Sequence, residues 1–196
     1  MRSNLIKLPN LNTKYLGKTT IFFNIIDSTQ SEIWRIIQKE NFINGTLVMA
    51  DIQTNGQGTH GRTWYTQEPN NIAFSFGIEA NFNIKKLEGI TTKIASIIVD
   101  IMQKNYKIKL NIKHPNDIVY NNKKIGGILT GTKVIGEEVK YLVIGIGINT
   151  NQEKFANEIK QIATSIKKEF AIEIDTKDFI AKFCNEFEKE IENLWK

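Results

Sequence analysis

A single cysteine, Cys184, among 196 residues leaves the fold without an internal disulfide. It lies in FIAKFCNEF, on the apolar face of an expected helix, and reads as a buried structural thiol in preference to a reactive one. The two histidines, His60 and His114, are far apart and have no third ligand spaced to join them, so no metal site is expected. A Ser/His/Asp or Cys/His nucleophile signature is also missing. No run of about 18 apolar residues is present, which argues against a membrane-spanning helix. The opening MRSNLIKLPNLNTKYLGK has no long apolar stretch and does not read as a signal peptide, so a cytoplasmic location is expected. Arginine is scarce: Arg2, Arg35 and Arg62 stand among 26 basic residues. The net charge of +5 is carried by lysines scattered along the chain, which reads as a solvated surface in preference to a nucleic-acid face.

What is present fits one domain with a real core, at 41% hydrophobic and 24% charged residues. Residues 1–18 read as an irregular lead-in. Strands are expected at residues 20–26, 46–52, 72–78, 108–113 and 139–148. After DSTQSE, with Thr29 and Glu32 at capping-box spacing, a helix carries Ile33, Trp34, Ile36 and Ile37. A longer helix at 85–106 places Leu87, Ile90, Ile94, Ile97, Ile98 and Ile101 in one stripe. Asn121-Asn122 between DIVY and KIGGILT signals a hairpin. Residues 150–170 mix loop and short helix, and a helix at 177–195 aligns Phe179, Phe183, Phe187, Ile191 and Leu194. This order predicts an α+β fold, a mixed and mainly antiparallel β-sheet with flanking helices.

Three segments carry chemistry. The loop QTNGQGTHGRTW holds Gly56, Gly58 and Gly61 within six residues. Such a loop is either a flexible turn or a cradle of backbone N–H groups for an anion. It lacks the G-K-[ST] ending of a phosphate-binding P-loop and does not lead into a helix as a dinucleotide fingerprint does. Arg62 and Trp64 favour the cradle, because a guanidinium suits phosphate and an indole stacks on a purine. In KHPNDIVYNNKKIGGILTG, Lys113 is either a surface lysine or a cation placed at a strand end. In VIGIGINTN, Gly145 and Gly147 imply close approach by another strand or a flat ligand, and Asn149 either meets a base edge or holds a turn.

Together and in this order, these segments resemble the biotin–protein ligase family. Its catalytic domain carries a glycine–arginine loop ending in an aromatic, a K-W-P-N-D motif followed by K-h-x-G-I-L, and a G-h-G-h-N strand end. Here they stand as GQGTHGRTW, KHPNDIVYNNKKIGGIL and GIGIN, while DSTQ resembles D-S-T-N and IATSI resembles A-T-S-L. The resemblance implies a fold related to class II aminoacyl-tRNA synthetases. It also implies attachment of biotin to a lysine of a biotin carboxyl carrier protein through biotinyl-AMP, with ATP and Mg²⁺ entering as a substrate complex. Ser28, Thr29 and Gln53 would then face the ureido ring of biotin, and Gly56 and Gly58 would fold over it. Gln57, Thr59, His60, Gly61 and Arg62 would border the nucleotide, with Trp64 and Asn149 at the adenine. Lys113, with Arg62, would contact the reacting carboxylate and phosphate, and Gly127, Gly145 and Gly147 would line the biotin pocket.

The sequence departs from the family pattern at three places. Gln57 and Thr59 replace two loop arginines, which predicts faster loss of the adenylate, and His114 replaces the tryptophan of K-W-P-N-D. The expected organisation is a single catalytic domain over 1–196, without an N-terminal DNA-binding domain or the C-terminal small β-barrel. No DNA or membrane partner is expected, and a homodimer through a sheet edge follows from the resemblance alone. The competing readings are a lipoate– or octanoate–protein ligase of the same fold, whose R-R-x-S-G-G-G loop has no counterpart here, and a non-catalytic biotin-binding protein.

Overall fold

The computed structural model describes residues 3–66, 68–69 and 71–194. Eight strands form one sheet: β1 (Ser3–Ile6), β2 (Thr20–Ile26), β3 (Leu47–Gln53), β4 (Ile72–Asn83), β5 (Asn111–Lys113), β6 (Asp117–Tyr120), β7 (Lys123–Ile135) and β8 (Glu138–Ile148). Their spatial order is β1-β2-β3-β4-β8-β7-β6-β5. Only β2 and β3 pair in parallel, joined by the crossover helix α1 (Thr29–Ile37); the other neighbours are antiparallel. The sheet is thus mixed and mainly antiparallel, as the element order predicts. The β6–β7 hairpin turns on Asn121 and Asn122, with φ of 46° and 63°, the left-handed geometry that asparagine tolerates.

Two layers cover the sheet. On one face lie α2 (Ile90–Tyr106) and α4 (Thr176–Leu194). Phe183 and Phe187 of α4 meet Phe74 and Phe76 of β4, with ring centroids 5.6 Å apart for Phe74–Phe183 and 5.2 Å for Phe76–Phe187. Cys184 is fully buried beside them; burial, and then the charge of Glu188, push its thiol well above the ordinary range. It is therefore the structural thiol the sequence suggests. The opposite face carries α1, whose Ile33 and Ile37 pack on Val48, Ala50 and Val143. Because side chains alternate across a strand, Phe74 and Phe76 of β4 point to the large core while Ser75 and Gly77 point to the α1 side. Similarly, Ile144 and Ile146 of β8 join the large core, leaving Gly145 and Gly147 on the α1 side. Beyond the start of α1, this small-residue floor is left without a helix above it.

Three sequence expectations change. Residues 3–6 of the lead-in form the edge strand β1, paired with β2. Its burial pattern has no alternation to reveal it, and its partner supplies the order. The neighbouring segment is held by Glu188, whose buried carboxylate accepts backbone N–H bonds from Lys14, Tyr15 and Leu16. The helix expected at 85–106 is broken at Gly89, φ +75°, so α2 begins at Ile90 after a short 3₁₀ turn at Ile84–Leu87. Ser28, not Thr29, caps α1: its φ of −156° is extended and its Oγ accepts from Ser31 N at 3.3 Å. Thr29 already lies in the helix, which frees its hydroxyl for the site. The end of the last expected helix, Trp195, lies outside the described residues.

Candidate active site

Two adjoining clefts open on the α1 side. The inner one has the floor Ser75, Gly145, Gly147 and Gly127, and the N-terminal turn of α1 at one end. It leaves only about 40 Å³ of free volume, room for a few waters. The outer one lies beyond the glycine loop, between Arg62, Asn149 and an apolar wall of Ile159, Ile162 and Ala163. Its free volume of about 450 Å³ is that of a small-molecule site. Trp64 and Lys124 line both.

The inner end is a directed chain of hydrogen bonds. Gln53 Oε1 accepts from Thr29 N at 2.9 Å and from Thr29 Oγ1 at 3.1 Å, while Gln53 Nε2 donates to Thr66 Oγ1 at 3.2 Å. The single hydroxyl hydrogen of Thr29 is used on Gln53, so in the 2.9 Å contact between Thr29 Oγ1 and Ser75 Oγ the serine must donate. Ser28 Oγ accepts from the helix and keeps its own hydrogen for a ligand. Gln57, at a position where the resemblance expects arginine, donates to Ser31 Oγ at 3.1 Å and ties the glycine loop to α1.

The glycine loop is folded on itself. Trp64 N donates to Gly56 O and Gly58 N to Arg62 O, both at 2.8 Å, around a tight turn at Thr59–Gly61 with His60 and Gly61 at positive φ. Arg62 bends back onto Thr59, donating to its carbonyl at 3.2 Å and its hydroxyl at 2.7 Å. A Cβ on Gly56 would stand 2.3 Å from Trp64 O, so that position admits only glycine. The loop delivers the Trp64 indole onto the floor, where a Cβ on Gly147 would lie 2.3 Å from Cε2 and one on Gly127 would lie 3.3 Å from Cζ3. Where the sequence suggests a strand or a flat ligand against the β8 glycines, side chains lie there: Trp64 covers Gly147, and Gln30 covers Gly145.

The structure gathers Ser28, Thr29, Gln53, Gln57, Gly58, Thr59, Trp64, Gly127, Gly145 and Gly147 around the inner cleft. Gly61, Arg62 and Asn149 join Trp64 at the outer one. Asn149 is buried, and its amide donates to Thr164 O at 3.1 Å. Its backbone N–H is fixed on Ile125 O at 2.8 Å. His60 is exposed at the loop tip, and Gly56 sits beneath Trp64 as its hinge. Lys113 is exposed at the end of β5 and lines neither cleft. The cation between the clefts is instead Lys124, whose Nζ lies 5.5 Å from the Trp64 ring centroid and 2.7 Å from Asp117 Oδ1. Sequence reasoning missed Lys124 although it opens the K-h-x-G-I-L stretch. It also missed Gln30, the last residue of DSTQ, and Ser75, which has no local signal. Among the described residues, no cluster of three His, Cys, Asp or Glu could hold a metal.

A family model described as "Biotin/lipoate A/B protein ligase family" matches residues 22–149. The chain belongs to that family. Among curated relatives, it is 36% identical over 181 residues to the bifunctional ligase/repressor BirA of Bacillus spizizenii, covering 91% of this chain and 55% of that protein. It is 26% identical over 172 residues to the human biotin–protein ligase, covering 84% of this chain and 23% of the human protein. The chain therefore spans about half the length of the Bacillus protein. The biotin protein ligase of Aquifex aeolicus, solved in complex with biotin and ATP, superposes with a TM-score of 0.74 at 28% identity, covering 91% of this chain and 72% of that one. The fold is that of a biotin protein ligase, and the matched segment runs from β2 to Asn149, holding the inner cleft and all of the outer one but its wall at Ile159, Ile162 and Ala163.

Proposed function

We propose that this chain binds biotin in the inner cleft and ATP in the outer one, joins them as biotinyl-AMP, and transfers biotin to a lysine of a biotin carboxyl carrier protein. The observation that carries this reading is the position of Trp64 and Lys124, which line both clefts. Two substrates bound side by side would meet beside one indole and one ammonium, with the indole lifting from the floor to admit biotin, since the inner cleft as it stands leaves only about 40 Å³. In the first step a carboxylate oxygen of biotin attacks the α-phosphorus and pyrophosphate leaves. In the second, the carrier amine attacks the acyl carbon and AMP leaves. Both reactants of the first step are anions, so alignment and charge neutralisation are the main tasks and no protein nucleophile is needed. Lys124 sits at the junction and Arg62 borders the nucleotide side. Mg²⁺ would enter with ATP as part of the substrate complex and would supply further charge neutralisation at the phosphates. The Ser28 hydroxyl hydrogen suits the ureido carbonyl. The apolar wall at Ile159 and Ile162 suits adenine, with Asn149 at its edge.

ATP–pyrophosphate exchange with biotin, with lipoate and with neither tests the proposal. Exchange that requires biotin is expected. Exchange that requires lipoate, or biotin binding without any exchange, would replace it with one of the competing readings.

A further inference from the structure

Two buried side-chain oxygens among the described residues lack a hydrogen-bond partner, Gln30 Oε1 and Asp117 Oδ1. The second is explained by its 2.7 Å ion pair with Lys124. The first is not explained by anything in the chain. Gln30 is 5% exposed, sits in the first turn of α1, and lines the inner cleft. Its Oε1 lies so close to the floor that a Cβ on Gly145 would be 2.5 Å away. Leaving a buried acceptor unpaired is unfavourable, and such atoms in native proteins call for an explanation, a ligand that supplies the donor being one.

We propose that Gln30 is a specificity-determining residue: its Oε1 accepts an N–H from the cyclic urea of biotin and so selects a urea-bearing acid over a dithiolane acid such as lipoate. The proposal rests on the reading of the inner cleft as the biotin site. Its polar neighbours are already engaged with one another. Gln53 Oε1 already accepts two bonds from Thr29, and Gln53 Nε2 is held by Thr66. The hydroxyl hydrogens of Thr29 and Ser75 are used within the chain of bonds. Gln30 Oε1 is the acceptor here with no partner at all, and the Ser28 hydroxyl keeps its hydrogen unused, two residues apart on the same turn. A urea presents a carbonyl flanked by N–H groups and satisfies both. A dithiolane has no N–H, so it would bury Gln30 Oε1 without a partner, and sites built to hydrogen-bond a polar group reject analogues that lack it.

The test uses the full chain, wild type and Gln30→Met, titrated with biotin, with lipoate and with biotin methylated on either ureido nitrogen. Wild type should prefer biotin and lose about 10- to 100-fold in affinity when one of the two nitrogens is methylated. Gln30→Met should lose a similar factor for biotin, lose little more on methylation of that nitrogen, and bind lipoate no more weakly than wild type does. Without ligand it should melt no lower than wild type, since the substitution removes an unpaired buried acceptor, whereas a merely structural glutamine would lower the melting temperature. Gln30→Glu, which keeps an oxygen there, should retain the preference for biotin. Wild type that binds biotin, with unchanged affinity in Gln30→Met or with methylation and substitution acting independently, overturns this proposal alone. Wild type that binds no biotin removes the proposed function and this proposal together.

Discussion

Gly147→Ala is the sharpest test of the site geometry. The added Cβ would stand 2.3 Å from Cε2 of Trp64, with Nε1 at 2.5 Å and Cζ2 at 2.7 Å. Ordinary carbon–carbon contact begins near 3.5 Å, so the indole would have to retreat by about 1.2 Å. It cannot do so by a simple shift of its own backbone, because Trp64 N is bonded to Gly56 O at 2.8 Å. Overpacking of this kind costs about 1–3 kcal/mol. For a chain of this size that lowers the melting temperature by roughly 2–4 °C per kcal/mol. Thermal melting and tryptophan emission of the unliganded protein should report both effects, a lower midpoint and a red-shifted spectrum as the indole leaves the floor. The decisive control is Trp64→Ala. In that background Gly147→Ala has nothing to strike and should cost little, so the two substitutions should be non-additive by most of the single-mutant penalty. An equal cost of Gly147→Ala with and without the indole, or no cost in either, would refute the stated packing of Trp64 on β8.

Lys124→Met should lower biotin-dependent pyrophosphate exchange by about 10²-fold or more, the usual effect of removing one well-placed charge-stabilising donor; wild-type exchange would remove Lys124 from the junction. Glu188→Ala deprives the backbone N–H groups of Lys14, Tyr15 and Leu16 of their acceptor and should destabilise the chain by about 3 kcal/mol or more, read by denaturant unfolding. Tyr15 should make the fold weaken at high pH. Burial first, then the charges of Glu188 and Glu192, raise its phenol from 10.0 to about 12. Stability is complete below pH 10 and declines as the unfolded phenol ionises between pH 10 and about 12; Tyr15→Phe should flatten that part of a stability–pH curve, and an unchanged slope would contradict it.

Much of this was legible locally. The strands of residues 20–26 and 139–148, the Asn121-Asn122 turn and the phenylalanine face of α4 follow from side-chain periodicity and backbone preference, which neighbours in the chain decide. The glycine loop, KHPND and GIGIN were identifiable because each packs its unusual residues into one short stretch. Other features depended on distant segments. Four residues of β1 become a strand only because β2 offers an edge. Ser28 and Thr29 both suit an N-cap by composition, and the backbone entering α1 from β2 chooses Ser28. The register that sets Gly127 opposite Gly147 and Leu129 opposite Gly145 decides which residues form the cleft floor, since a one-residue slip would turn every side chain to the other face. Through that register Lys124 lines both clefts while Lys113, in the more conspicuous motif, lies exposed. The sequence alone thus determined the family, the fold class and the segments that build the site. Only the tertiary structure decided which side chains within those segments have unused hydrogen-bonding capacity, because that depends on partners many residues away.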